Sequence, residues 1–158
     1  MDNQKKILVM GIGNLLFKDE GIGIHVAQKL MNMSLPSDVE VLDGGMLVTG
    51  FYALMAGRRK AIIIDAMKAG CPPGTIYRFV GSDIPEKRKG YFRTTQELEF
   101  TKDLEDARFA GTSPEEIVFI GIEPEDMGEK SQKLEIGLSP IIEEKIPEII
   151  EMVMEELK

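Results

Sequence analysis

The stretch 10-MGIGNLLFKDEGIGIHVAQKL-30 decides the fold. It begins inside the apolar run Lys6–Ile12 (KILVMGI), which is short, continuous and ended by glycine, as in a buried strand. From Glu20 to about Met33 the apolar residues Ile24, Ala27, Leu30 and Met31 follow a helical spacing. Strand, glycine loop and helix together open an α/β unit. Gly11 and Gly13 imitate a dinucleotide loop, but Leu16 stands where that fingerprint needs a small residue. The loop is also too long, and Asp19 and Glu20 would repel a pyrophosphate. The question is what two adjacent carboxylates at a strand end hold instead.

The same alternation continues along the chain. Val39–Leu42 reads as a second strand, followed by Asp43-Gly44-Gly45, and Met46–Met55 as a helix ending near Gly57. Ala61–Ile64 is a third strand with Asp65 at its end. A Gly/Pro loop follows at 69–74, and then a β-branched and aromatic strand, Thr75–Val80. Gly81–Tyr91 is polar and basic without periodicity, which reads as loop. Thr94–Phe109 has helical spacing through Leu98, Thr101, Leu104 and Arg108, and Thr94-Thr95-Gln96-Glu97 matches a capping box. Glu116–Ile122 is the fifth strand and 123–137 a loop. Ser139-Pro140 opens a last helix running to about Leu157, with a kink expected at Pro147. The pattern predicts one α/β domain over 1–158: a three-layer αβα arrangement around a twisted, mostly parallel five-stranded sheet.

Composition narrows the function. The 158 residues suit one domain with a real core, and 43% hydrophobic with 29% charged residues is ordinary for a folded protein. A net charge of −8 removes the basic footprint of a nucleic-acid binder. No run approaches the roughly 18 apolar residues that span a bilayer, so no membrane role is expected. A single cysteine, Cys71, excludes an internal disulfide and fits a cytosolic home.

In a sheet of this kind the site lies beyond the carboxyl ends of the strands. Glu20, Asp43 and Asp65 each follow or end one of the first three strands, so one rim gathers three carboxylates. Each has a plain alternative. Asp19 or Glu20 can cap the first helix, Asp43 can bond the Gly44-Gly45 backbone in a turn, and Asp65 can cap the loop after its strand. The sole histidine, His25, has no H-E-x-x-H context and no obvious serine partner, and reads as a partly exposed helical residue. Glu20 and Asp65 as oxygen ligands of a metal is the sharper reading.

The residues now resemble a known family. G-I-G-N-L-L-F-K-D-E-G-I-G-I, D-G-G at 43–45, I-I-I-D-A at 62–66, A-R-F-A-G at 107–111, G-I-E-P-E at 121–125 and G-L-S-P at 137–140 appear in the order of the hydrogenase maturation endopeptidases. The resemblance covers nearly the whole chain. It implies an endopeptidase that removes the C-terminal extension of a nickel–iron hydrogenase large-subunit precursor after nickel insertion. It implies a twisted, mainly parallel sheet between helices. It places the family's catalytic and metal-engaging carboxylates on Glu20 and Asp65, acting on nickel delivered in the precursor. By position, the Asp43-Gly44-Gly45 loop is expected to offer backbone donors to the substrate tail, the plain alternative being a tight turn that needs φ > 0. A monomer is expected, with the precursor as partner.

The departure concerns the third ligand. The family's histidine falls on Gln96, and its neighbouring glutamine on Glu97. Three accounts stay open: a weak Gln96 ligand, Glu97 as a third carboxylate, or two strong ligands sufficing because the precursor's cysteines hold the nickel. The last is favoured, with Gln96 as a weak contributor. His25 is a poor substitute, since five helical residues past Glu20 is about 500° of rotation. The basic residues Lys87, Arg88, Lys89 and Arg93 could face an acidic precursor surface, although a solvated loop is the simpler role. Loss of the histidine also admits a different class of function, a sensor of nickel loading or an assembly chaperone that does not cut.

Overall fold

The computed structural model describes residues 6–46, 51–81, 95–130 and 133–158, without the side chains at 51–52 and 95–101. The strands are β1 (Ile7–Ile12), β2 (Val39–Gly45), β3 (Lys60–Ala66), β4 (Ile76–Val80) and β5 (Glu116–Ile122). The helices are α1 (Ile22–Met31), α2 (Phe51–Met55), α3 (Thr95–Phe109), α4 (Pro140–Glu143) and α5 (Ile146–Glu156), and a 3₁₀ turn covers Lys18–Gly21. The strands form one sheet in the order β2-β1-β3-β5-β4. All pairings are parallel except β4 with β5. The predicted α/β architecture with a mostly parallel five-stranded sheet is the one found.

Side-chain alternation sorts the core into two layers. Ile7 and Val9 of β1 and Ile62 and Ile64 of β3 pack with Ile22, Val26 and Leu30 of α1 and Ile149 and Val153 of α5. On the opposite face, Leu8, Met10, Ala61 and Ile63 pack with Met55 of α2, Leu104 of α3 and Phe119. Both faces of the central strands are therefore dry, which is why their sequences are continuous apolar runs.

Several boundaries differ from the sequence reading. The predicted helix 20–33 is a 3₁₀ turn followed by α1, with Gly21 at the junction. β2 runs on through Asp43 to Gly45, helped by an irregularity in its pairing with β1 at Gly11/Ile12. Asp65 does not follow β3 but lies within it, opposite Gly121 of β5. Of the predicted helix 46–55, residues 51–55 are helical and 47–50 lie outside the described residues. So does the predicted loop beyond Gly81, with Lys87, Arg88, Lys89, Arg93 and the Thr94 end of the capping box. In α3 the inward residues are Asp103, Leu104 and Ala107, whereas Arg108 is exposed. Pro147 does not kink one long helix. It sits in the first turn of α5, after a break at Glu144-Lys145, where its missing N–H costs nothing. No described helix is long and apolar enough to cross a membrane.

α1 lies against β1 and β3 because Gly11 and Gly23 carry no side chains. A Cβ on Gly23 would stand 2.2 Å from the Ile64 carbonyl oxygen and 2.4 Å from that of Ile12. One on Gly11 would stand 1.9 Å from the Gly23 oxygen. The second Gly-x-Gly of the opening stretch thus serves helix–sheet contact. Helix propensity alone favours alanine at 23 by about 1 kcal/mol. The obstructing atoms are backbone of central strands and cannot yield, so overpacking of about 1–3 kcal/mol or more wins. Gly23→Ala is accordingly expected to lower the denaturation midpoint in urea, and a variant as stable as the wild type would contradict this packing.

Candidate functional site

The strand order places β1 between β2 and β3, so chain connections leave β1 toward one neighbour and return on the other side. That divergence opens a crevice at the carboxyl ends of β1 and β3. Glu20 lies in the 3₁₀ turn after β1, and Asp65 near the end of β3. The two candidate carboxylates therefore stand at the switch point of the sheet. The turn carrying Glu20 is folded back on the strand end. Asn14 N donates to the Glu20 carbonyl at 3.2 Å, and a Cβ on Gly13 would stand 1.9 Å from that oxygen. Asp65 shares the parity of Ala61 and Ile63, so its side chain belongs to the sheet face covered by α2 and α3. Both carboxylates are only partly buried.

Asp19, beside Glu20, does not cap α1. It is fully buried, and both its oxygens accept from distant parts of the chain. Oδ2 accepts from Glu125 N at 3.0 Å, Asp126 N at 2.9 Å and Ser139 Oγ at 2.8 Å, and Oδ1 from Ser139 N at 2.7 Å. Ser139 precedes α4 as predicted, yet its hydroxyl makes no cap and points to Asp19 instead. Around this centre, Asp19 N donates to Asp126 O, and Lys18 N donates to Glu135 O. Lys18 holds a left-handed backbone, φ +46, and its Nζ reaches Asp126 Oδ2 at 3.2 Å. The Asp126 hydrogen bond and nearby carboxylates outweigh burial and raise the Lys18 pKa. For Asp126, burial pushes upward, but the bonds from Lys18 and from the Lys130 and Gly128 backbones hold its carboxyl below the usual range.

A second buried carboxylate, Glu123, organises the loop after β3. Its Oε2 accepts from Ala69 N and from the Tyr77 hydroxyl, each at 2.7 Å, and Oε1 from Gly70 N at 3.2 Å. Burial, with Cys71 and Glu123 beside it, pushes the Tyr77 phenol well above its ordinary value, so it stays a donor. Cys71 itself is exposed and free.

The loop after β2 shows the turn that Asp43 predicts. Asp43 Oδ1 accepts from Gly45 N at 2.9 Å, Gly45 has φ +54, and the Gly45 carbonyl takes Gly13 N at 2.9 Å. Gly45 thus spends its own N–H and C=O inside the loop. Gly44 is buried, and a Cβ there would stand 3.1 Å from the Gly11 carbonyl oxygen and from the Met10 side chain. Gln96 occupies the first turn of α3 by its backbone, and its side chain, like that of Glu97, lies outside the described residues. Among the described residues, no three His, Cys, Asp or Glu side chains converge as a metal-holding group.

The roles of Asp19 and Glu123 escaped the sequence because their partners lie 46 to 120 residues away. The one usable signal is their setting: acids embedded in the glycine-led blocks G-N-L-L-F-K-D-E-G and G-I-E-P-E. His25 is half-buried on α1, a partly exposed helical residue as read, and its buried Nε2 has no hydrogen-bond partner among the described residues. Burial lowers its pKa from 6.5, against an upward pull from Glu143 and with a further push down from Lys29. The folded state then binds fewer protons. Stability from the neutral ring is present above pH 6.5 and lost as pH falls from there through the folded pKa. As His25 is the only histidine, its NMR titration is a single curve, expected to have a midpoint below 6.5. A midpoint at or above that value would contradict the buried placement.

Comparison with known proteins meets this geometry. The family model described as hydrogenase maturation protease matches residues 24–156. The hydrogenase 2 maturation protease of Escherichia coli is 32% identical over 155 residues, covering 97% of this chain and 91% of that protein. The hydrogenase expression/formation protein HupD of Thiocapsa roseopersicina is 32% identical over 160 residues, covering 99% and 70%. The solved E. coli hydrogenase maturating endopeptidase HybD superposes with a TM-score of 0.87 at 32% identity, covering 96% of this chain and 91% of its own. The HybD maturation protease of Thermococcus kodakarensis, at 24% identity and a TM-score of 0.77, repeats the fold over 97% of this chain and 99% of its own. The chain belongs to the hydrogenase maturation protease family and, as a member, is an endopeptidase.

Proposed function

We propose that this endopeptidase removes the C-terminal extension of a nickel–iron hydrogenase large-subunit precursor once nickel is in place, and that Glu20 and Asp65 engage that nickel. The observation carrying the reading is the position of the two carboxylates at the β1/β3 switch point. Two oxygen ligands without a third converging described residue do not make a closed cage. They suit a metal that arrives with ligands of its own, the precursor's cysteines, and leaves with the product. Nickel is then part of the substrate, and when present it supplies Lewis acidity at the scissile peptide. Gln96, in the first turn of α3, adds at most a weak amide oxygen.

Glu20 and Asp65 orient the precursor's metal centre against the peptide to be cut. The Asp43-Gly44-Gly45 loop borders the same rim from β2 and lines the path of the substrate tail. The partner is the precursor protein, met by a monomer in the cytosol. An exposed free cysteine and a net charge of −8 agree with a cytosolic protein and argue against a nucleic-acid partner.

Glu20→Gln and Asp65→Asn keep size and remove charge, so they test the reading without opening the fold. Each is expected to slow release of the extension by roughly 10²-fold or more, scored as loss of the mass decrease in the precursor. Processing at the wild-type rate by both variants would sink the metal-recognition model.

A further inference from the structure

Two of the buried carboxylates that the reaction does not use, Asp19 and Glu123, meet on one short segment. Glu123–Asp126 runs directly out of β5 and contains the buried Pro124, whose ring fixes its backbone. On one side, Glu125 N and Asp126 N bind the Asp19 carboxylate, Asp126 O takes Asp19 N, and the Asp126 side chain takes Lys18 Nζ. These ties pin the two residues before Glu20. On the other side, the Glu123 carboxylate takes Ala69 N, Gly70 N and the Tyr77 hydroxyl. Met67 N donates to Ile122 O at 2.8 Å, and Glu123 exchanges backbone bonds with Gly74 and Thr75. These ties pin the loop that starts just after Asp65. The loop after β1 and the loop after β3 are thus tied to one short piece of chain.

We propose that Asp19 and Glu123 are positioning residues: through the Glu123–Asp126 segment they fix the spacing and aim of the Glu20–Asp65 pair. The inference rests on the reading of that pair as the nickel-engaging carboxylates. A displacement on the order of 1 Å at such a pair costs about 10²-fold in rate, which is the leverage the brace exerts. Neither acid tolerates its amide cleanly. Asp19 receives backbone N–H groups on both oxygens, so an asparagine NH₂ meets a donor in either orientation. The same holds for Glu123, with Ala69 N on one oxygen and Gly70 N on the other.

The test uses Asp19→Asn, Glu123→Gln and the milder Tyr77→Phe, each in the full chain and assayed well below its melting temperature. Two quantities are read on the folded protein: single-turnover release of the extension from nickel-loaded precursor, and the ratio of affinities for loaded over nickel-free precursor. Positioning predicts a loss of about tenfold to 10²-fold in the first for the two amide variants and a few-fold for Tyr77→Phe. It also predicts that the affinity ratio collapses while binding of nickel-free precursor is unchanged. Should one amide variant fail to fold, the other and Tyr77→Phe carry the measurement. Folded variants with the wild-type single-turnover rate and affinity ratio would overturn the proposal and leave the two acids as structural only. Glu20→Gln and Asp65→Asn in the same assay separate the two claims: if they keep the wild-type ratio, the reading of the pair fails, whatever the brace variants do.

Discussion

A carboxylate taken fully out of water must be met by donors, and the Asp19 carboxylate is met by four. Much of the site follows from that constraint. The donors come from the end of β5 and from the start of α4, so one side chain ties the first loop to two distant segments. Three of the four are backbone N–H groups, each of which would cost about 1–3 kcal/mol if left buried and unpaired. The turn that carries Glu20 contains a residue in the left-handed region, Lys18, which a loop would not hold unaided. It persists because the backbone bonds to Asp126 and Glu135, and the Lys18–Asp126 pair, hold it from outside.

The sheet explains why this turn matters. In the order β2-β1-β3-β5-β4 the connections diverge at β1, and the crevice there is bounded by the loop after β1 and the end of β3. Gly11 and Gly23 let α1 press against both strands, which brings the turn down onto the strand ends. Glu20 and Asp65 are left partly exposed at the switch point, while the neighbouring acids Asp19 and Glu123 are buried as fasteners. Adjacent acids in one loop thus do opposite work, and burial separates them.

Much of this was legible in the sequence. The continuous apolar runs at 7–12, 61–64 and 117–122 announced buried parallel strands, and the glycine-ended first run announced the site loop. The ordered blocks point to the family that the comparisons show, whereas the roles of Glu20 and Asp65 belong to the proposal. Errors came where local pattern competes with tertiary contact. Ser139-Pro140 opens a helix as read, but the Ser139 hydroxyl serves Asp19 and not the helix end. Asp65 looked like the end of a strand, but pairing with Gly121 carries β3 past it. The run from Ser139 to Leu157 looked like one kinked helix, whereas Pro147 begins a new one. Asp19 and Glu123 showed their chemistry and hid their partners, since hydrogen bonds across 46 to 120 residues leave no periodic trace.

The family departure sharpens the account. On the proposed reading, with glutamine at 96, the two carboxylates at the switch point engage the metal with the help of ligands the precursor brings. The most direct test is to mix the wild-type chain with nickel-loaded and with nickel-free large-subunit precursor and weigh the products. A small C-terminal mass loss from the loaded precursor alone is the predicted result. Equal loss from both forms would show that the carboxylate pair does not read nickel.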